Sequence, residues 1–156
     1  MSIKIVFSIT LFAYAMIVSQ AFMYLLSLKQ VQLNLGSASY TEIRQLTDMS
    51  MRASFKYVIY AALLANLLLV FFTAKQPGSF AFITALIGLL ALVAEILLTL
   101  KGNLPVNDVI NSWTPGQVPA NWESIRDKWF NIFQYRQIAS ISGFASLLIG
   151  AIFGTK

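Results

Sequence analysis

The sequence predicts an all-α membrane protein: an antiparallel four-helix transmembrane bundle with short capping helices on one side. Three observations predict it. Hydrophobic residues make up 58% of the 156 residues. Charged residues make up 11%, less than half of the roughly 25% found in a soluble domain. The apolar residues also fall into four runs, each near the length of about 20 residues that a spanning helix needs. So few charges cannot tile a water-soluble surface, and a disordered chain would be polar and charged instead. The length suits a single domain, residues 1–156.

The first run covers residues 3–28. Lys4 precedes it, as a basic residue precedes a signal peptide's apolar core. The run exceeds the about 7–15 residues of such a core, and no small-x-small cleavage site follows, so a retained span is expected. The second run covers 55–73 and ends at Ala74-Lys75-Gln76-Pro77-Gly78-Ser79, where Pro77 and Gly78 break the helix. The third run covers 80–100 and the fourth 133–153.

Four spans put both termini and the 74–79 turn on one side, side A. The longer segments 29–54 and 101–132 then lie on side B. Ser39-Tyr40-Thr41-Glu42 fits a capping box with Ser39 as N-cap, and 41–55 is helix-compatible and able to run into the second span. Asn107 is placed to cap a short helix over 108–113, which Thr114-Pro115-Gly116 would end. Pro105 is expected to fix a turn before it. Asn121 is placed to cap a helix carrying Trp122, Ile125 and Trp129 at helical spacing and leading into the fourth span.

Orientation draws on two opposed signals. Side A carries Lys4, Lys75 and Lys156 without an acidic residue, whereas side B carries more basic residues together with Glu42, Asp48, Asp108, Glu123 and Asp127. Counting Lys and Arg favours side B as cytoplasmic, but the purely basic shortest flanks and the first helix favour side A. The expectation adopted is cytoplasmic termini.

Two absences bound the chemistry. Without Cys there is no thiolate nucleophile, disulfide or sulfur-ligated metal, and without His the commonest general base and metal ligand are missing. No metal and no cofactor are therefore expected. The net charge of +5 is not gathered into a cluster of nucleic-acid type. Membrane lipids, not nucleic acid, are the expected partners.

Polar residues inside spans are costly and hence informative. Glu95 lies in the third span and Arg136 near the start of the fourth, both at the side-B end. Pairing would offset an insertion cost of about 2.5–3.5 kcal/mol for each charge. They form either a polar site at the base of a pocket or a clamp between helices. Gln20 falls at the same level on the first span, and Asn66 nearer side A on the second. Thr84, Gly88, Ala91 and Glu95 make one small and polar face. Ser142, Ser146, Gly150 and Gly154 repeat every four residues. Both faces suit close helix packing within one bundle, or else a homo-oligomer contact. Trp113, Trp122 and Trp129 crowd one side-B stretch, as an interfacial aromatic belt or as a lid docked over the bundle mouth.

The segment Gly102-Asn103-Leu104-Pro105-Val106-Asn107, followed by Trp113, Pro119, Trp122, Arg126, Trp129 and Arg136, resembles the anthrone-oxygenase-like family of small four-span membrane proteins. The match is most specific over 102–136. Many members carry a His three residues before the Arg, where this chain has Phe133. The resemblance implies site roles for Asn103, Asn107, Arg126, Trp129 and Arg136. It also implies a cofactor-independent oxygenation of fused aromatic substrates, with Glu95 as the base. Together with the residues' own reading, the candidate site comprises Glu95 and Arg136 as catalytic groups and Gln20, Asn103, Asn107, Trp113, Arg126 and Trp129 as ligand contacts. The expected function is binding of a lipophilic small molecule in an intrabundle pocket at the capped end. The alternative is a non-enzymatic membrane protein, an oligomeric pore or an assembly partner.

Overall fold

The computed structural model describes residues 3–154. It holds four long helices: α1 (Ile3–Leu33), α2 (Ser37–Thr73), α3 (Phe80–Asn111) and α4 (Trp122–Phe153). All four are long and apolar enough to cross a membrane, as an integral membrane protein requires. Their outward faces carry large apolar side chains along most of their length, among them Phe12, Leu26, Leu64, Phe71, Leu90 and Ile152. Such a surface has no stable exposure to water and suits lipid.

The helices overrun the apolar runs on side B. Residues 29–33, 37–54, 104–111 and 122–132 are helical, and each stretch continues a neighbouring apolar run. Side B is thus built from extensions of the long helices: 37–54 and 122–132 run into the second and fourth spans as expected, whereas 104–111 continues α3 where a separate short helix over 108–113 was expected. Two π turns carry the chain across. At Tyr24–Leu28 the Lys29 amide donates to the Tyr24 carbonyl, and at Thr99–Asn103 the Leu104 amide donates to the Thr99 carbonyl. The second π turn explains why Pro105 does not make a turn. Pro105 has no N–H, and its ring would meet the carbonyl one turn earlier in a regular helix; the wider turn just before it relieves that conflict.

The expected caps change accordingly. α2 starts at Ser37 after an extended Gly36, so Ser39 lies inside the helix and no side chain caps it. Asn107 is mid-helix, with its amide committed to side chains elsewhere. Asn121 does precede α4 but makes no side-chain cap bond. On side A, Ser79 caps α3 by accepting from the Phe82 amide at 3.2 Å. Between α3 and α4 the chain turns at Thr114-Pro115-Gly116-Gln117. The Gln117 amide donates to the Thr114 carbonyl, and Gly116 takes φ 86°, which the glycine allows without strain.

Two cores result. One fills the membrane half with Phe7, Ile17, Leu69, Leu92 and Leu147 among small residues. The other is aromatic and lies on side B, with Tyr24, Tyr40, Trp113, Trp129, Phe130 and Phe133. Trp113 and Trp129 thus face inward, away from any lipid belt.

α3 and α4 meet through the small-residue face read from α3. A Cβ on Gly88 would strike Leu147 at 2.7 Å, and one on Gly143 would strike the Ala91 side chain at 2.8 Å and the Tyr14 hydroxyl. The facing residues on α4 are Gly143, Leu147 and Gly150; Ser142 is exposed. Ser146, Gly150 and Gly154 of the four-residue repeat also face α3: Ser146 Oγ donates to the Thr84 carbonyl at 3.1 Å, and a Cβ on Gly154 would strike the Ala81 backbone at 2.9 Å, so of the four only Ser142 turns away.

Candidate functional site

At the side-B end, three helix extensions converge on one polar network. On α2, Arg44, Asp48 and Arg52 stand four apart and so share a face. Asp48 is buried and accepts from Asn107 Nδ2 (2.6 Å), Asn111 Nδ2 (2.7 Å) and Arg52 Nε (2.7 Å). Arg52 also donates to Asp108 at 2.6 Å. Arg44 donates to the Tyr24 hydroxyl (3.1 Å) and to Asn107 Oδ1 (2.9 Å), and its guanidinium lies 3.9 Å from the centre of the Trp129 ring. Asn107 Oδ1 accepts in addition from the Trp129 indole N–H at 2.7 Å. A buried charge keeps its form only when paired in this way.

One turn deeper, Arg136 on α4 donates from Nε (3.0 Å) and Nη2 (2.7 Å) to Glu95 Oε1 on α3. Its Nη1 donates to Asn103 Oδ1 at 3.1 Å, and Asn103 Nδ2 donates to the Trp129 carbonyl at 3.0 Å. Both charges are buried. The Thr99 hydroxyl lies 3.2 Å from Glu95 Oε1. The second carboxylate oxygen, Glu95 Oε2, is buried without a hydrogen-bond partner, as is Arg44 Nε.

A cavity of about 340 Å³ lies against this network. Its polar lining includes Gln20, Arg44, Asp48, Glu95, Asn107 and Arg136; its apolar lining includes Phe55, Ile59, Ile96, Leu100 and Leu104. That volume falls at the small end of the about 300–1,000 Å³ typical of ligand sites, and the mixture of apolar wall with few polar groups is also typical.

Of the residues singled out in the sequence, Glu95 and Arg136 pair directly, and Gln20, Asn107 and Trp129 line the same cavity with them. Asn103 sits behind, linking Arg136 to the backbone of α4. Trp113 and Arg126 lie outside the cavity wall. Trp113 packs in the aromatic core and offers its carbonyl to Gln45 at 2.8 Å. Arg126 turns to Asp127 (3.0 Å), the Leu33 carbonyl (3.4 Å) and the face of Trp122. Arg126 and Arg136 stand ten residues apart on one continuous helix, about 15 Å of rise, which keeps Arg126 away from the cavity. Phe133, at the position where the resembling family often has His, stacks on Trp129 with ring centres 4.9 Å apart and planes 13° apart.

Arg44, Asp48 and Arg52 escaped the sequence reading. The signal was present: three charges at four-residue spacing on a segment already read as running into a span. A charge run is ordinarily a solvated face, and nothing in α2 alone reveals Asn107 and Asn111 on the opposite side. No protein family, curated protein or solved structure matches this chain.

Proposed function

We propose that this chain is a small integral membrane protein that binds a lipophilic small molecule in the side-B cavity. The four helices cross the bilayer as an antiparallel bundle with cytoplasmic termini, and the helix extensions of side B cover the bundle mouth. The observation that carries the reading is the cavity itself: an apolar chamber of about 340 Å³ whose floor is a buried Glu95–Arg136 pair with one carboxylate oxygen left without a partner. A clamp needs no adjoining cavity, and a through-pore needs a polar stripe along the whole depth. Here the buried charges gather at one end.

The resemblance carries the proposal one step further, to a cofactor-independent oxygenase-like activity on aromatic substrates. Glu95 then takes the proton of an acidic aromatic substrate and Arg136 holds the carboxylate in place. Mass spectrometry of the protein purified from membranes tests the binding reading. A bound lipophile is expected with the wild-type chain and lost in Ile96→Trp, which fills the cavity. Absence of any such molecule, or equal retention by both proteins, defeats it.

A further inference from the structure

Polar ties close one end of the cavity, and exposed side chains line its side. At the closed end α2 and α3 are tied across the gap. Gln45 Nε2 donates to the carbonyls of Ile110 (3.0 Å) and Trp113 (2.8 Å), Asp48 takes Asn107 and Asn111, and Arg52 reaches Asp108. Further along α2 towards side A, between positions 53 and 73, no side-chain hydrogen bond or ion pair crosses to α3 among the described residues. There the cavity wall is formed by Phe55, Lys56, Ile59 and Tyr60 facing Ile96 and Leu100. Tyr60 is 63% exposed and Leu100 55%, whereas Trp129 on the floor is 2% exposed. The π turn Thr99–Asn103 adds a residue to α3 at this level.

The opening has a charge at its rim. Lys56 is exposed and lines the cavity, and no carboxylate lies within ion-pair distance of its ammonium among the described residues. It stands at the start of the second apolar run, the depth at which a span of that run would meet the headgroups. A lysine at that depth ordinarily lays its stem along apolar surface and sends its ammonium to the headgroups. Lys56 is set apart by the cavity directly beside it, whose apolar wall continues from the lysine stem into the bundle.

We propose that the occupant enters sideways from the bilayer, between α2 and α3 beneath the polar ties, and that it is an anionic amphiphile. Its phosphate or carboxylate head rests on Lys56, and its apolar portion lies between Phe55, Ile59, Ile96 and Leu100. The cavity accommodates part of one acyl chain or a small ring system, so the remainder stays in the membrane. This inference rests on the pocket reading above and adds the route and the head chemistry.

The test uses the buried floor as reporter. Trp113→Phe with Trp122→Phe leaves Trp129 as the single Trp, and brominated acyl chains quench it only at close range. The protein is placed in vesicles of fixed phosphatidylglycerol and phosphatidylcholine content in which one lipid or the other is brominated. Brominated stearate in phosphatidylcholine vesicles separates a carboxylate head from a phosphate one. Quenching by the brominated anionic species is expected to exceed that by brominated phosphatidylcholine by about five-fold in apparent affinity, the weight of one interfacial lysine. Lys56→Gln should remove the difference. Equal quenching by anionic and zwitterionic lipid overturns the head assignment. No quenching by either, with a cavity-dependent lipophile still found by mass spectrometry, overturns the lateral route while leaving the pocket reading intact. If the two-Phe variant does not fold, the wild-type chain and Lys56→Gln are purified from the same mixed vesicles and their retained lipids weighed. Preference for the anionic lipid in the wild type alone supports the proposal, and equal retention overturns it.

Discussion

Towards side A, α4 approaches α3 and α1 through glycine: Gly143 against Ala91 of α3 and Tyr14 of α1, Gly150 against Thr84 of α3 and Phe7 of α1. Towards side B the same two helices are joined by Arg136 on Glu95 and by Asn103 on the Trp129 carbonyl. In lipid, helices gain little from hiding apolar surface, so close van der Waals contact and interhelical hydrogen bonds must hold them. The half towards side A leans on the first, with only hydroxyl-to-carbonyl bonds between helices (Ser146 Oγ to Thr84, 3.1 Å; Thr10 Oγ1 to Ala65, 3.2 Å), and the half towards side B leans on the second, through buried charges. The difference sets what each half can tolerate. The glycine half is sensitive to added volume, and the charged half to a missing partner. A cavity can persist only in the second, where polar ties span a gap that side-chain packing would otherwise close.

Breaking one partner of the buried pair is expected to have the largest effect. Glu95→Ala leaves Arg136 uncompensated, and removal of one member of a buried pair costs about 3–5 kcal/mol. Replacing both, as Glu95→Leu with Arg136→Met, should recover most of that loss, because an apolar pair of similar volume needs no desolvation. Unfolding in mixed detergent measures both. A double variant no more stable than Glu95→Ala would show that the pair does more for stability than neutralise itself.

Asn107→Ala comes next. It strips one hydrogen bond each from Arg44, Asp48 and Trp129. Bonds to charged groups contribute about 1.5–3 kcal/mol each, and partial rearrangement of Arg44 and Asp48 should keep the total near about 3 kcal/mol. The loss should be local. Amides of 103–113 should exchange faster with deuterium, and those of 81–92 should not. Uniform acceleration along α3 would contradict the division into two regions.

In the glycine half, Gly143→Ala should cost about 1–3 kcal/mol, the range for overpacking. The new Cβ would meet both the Tyr14 hydroxyl and the Ala91 methyl, and Ala91 cannot turn away. Gly88→Ala should cost less, because its conflict is with the side chain of Leu147 alone, which can change rotamer. Comparing the two by the same detergent unfolding checks the order; a larger loss at Gly88 would mean that Leu147 is locked.

The legible parts of the molecule were those that composition and period express. Four apolar runs gave the four helices, and matching depth with opposite charge brought Glu95 and Arg136 together. The side-B ends were harder, because local signals there compete with tertiary ones. Pro105 and Asn107 have the chemistry of a turn and a cap, yet the π turn at Thr99–Asn103 keeps the helix going and commits Asn107 to Arg44, Asp48 and Trp129. A π turn leaves no spacing signature when the residues around it are read as helix. Arg44 and Asp48 look like ordinary surface charges until the facing asparagines are in place. Arg126 was included through the resemblance and Trp113 through the Trp-rich stretch read as a lid; in space Trp113 packs in the aromatic core and Arg126 lies against Trp122 at its edge.

The smallest expected effect, and one of opposite sign, belongs to Asn66. It is fully buried in the membrane half, and neither its amide nitrogen nor its carbonyl oxygen has a hydrogen-bond partner. An unsatisfied buried polar group carries a penalty of about 1–3 kcal/mol, so the residue works against the packing around it. Asn66→Leu removes that penalty and is similar in shape, though slightly larger; the added volume offsets part of the gain. A net stabilisation of about 1 kcal/mol is expected, within the range that relief of such groups allows. The same replacement at Asn107 should destabilise, because there every amide group is engaged. The pair of variants therefore compares the two halves with one chemical change. If Asn66→Leu destabilises by as much as Asn107→Leu, the Asn66 amide has a partner in the bilayer, and the membrane half depends on polar ties as much as the side-B half does.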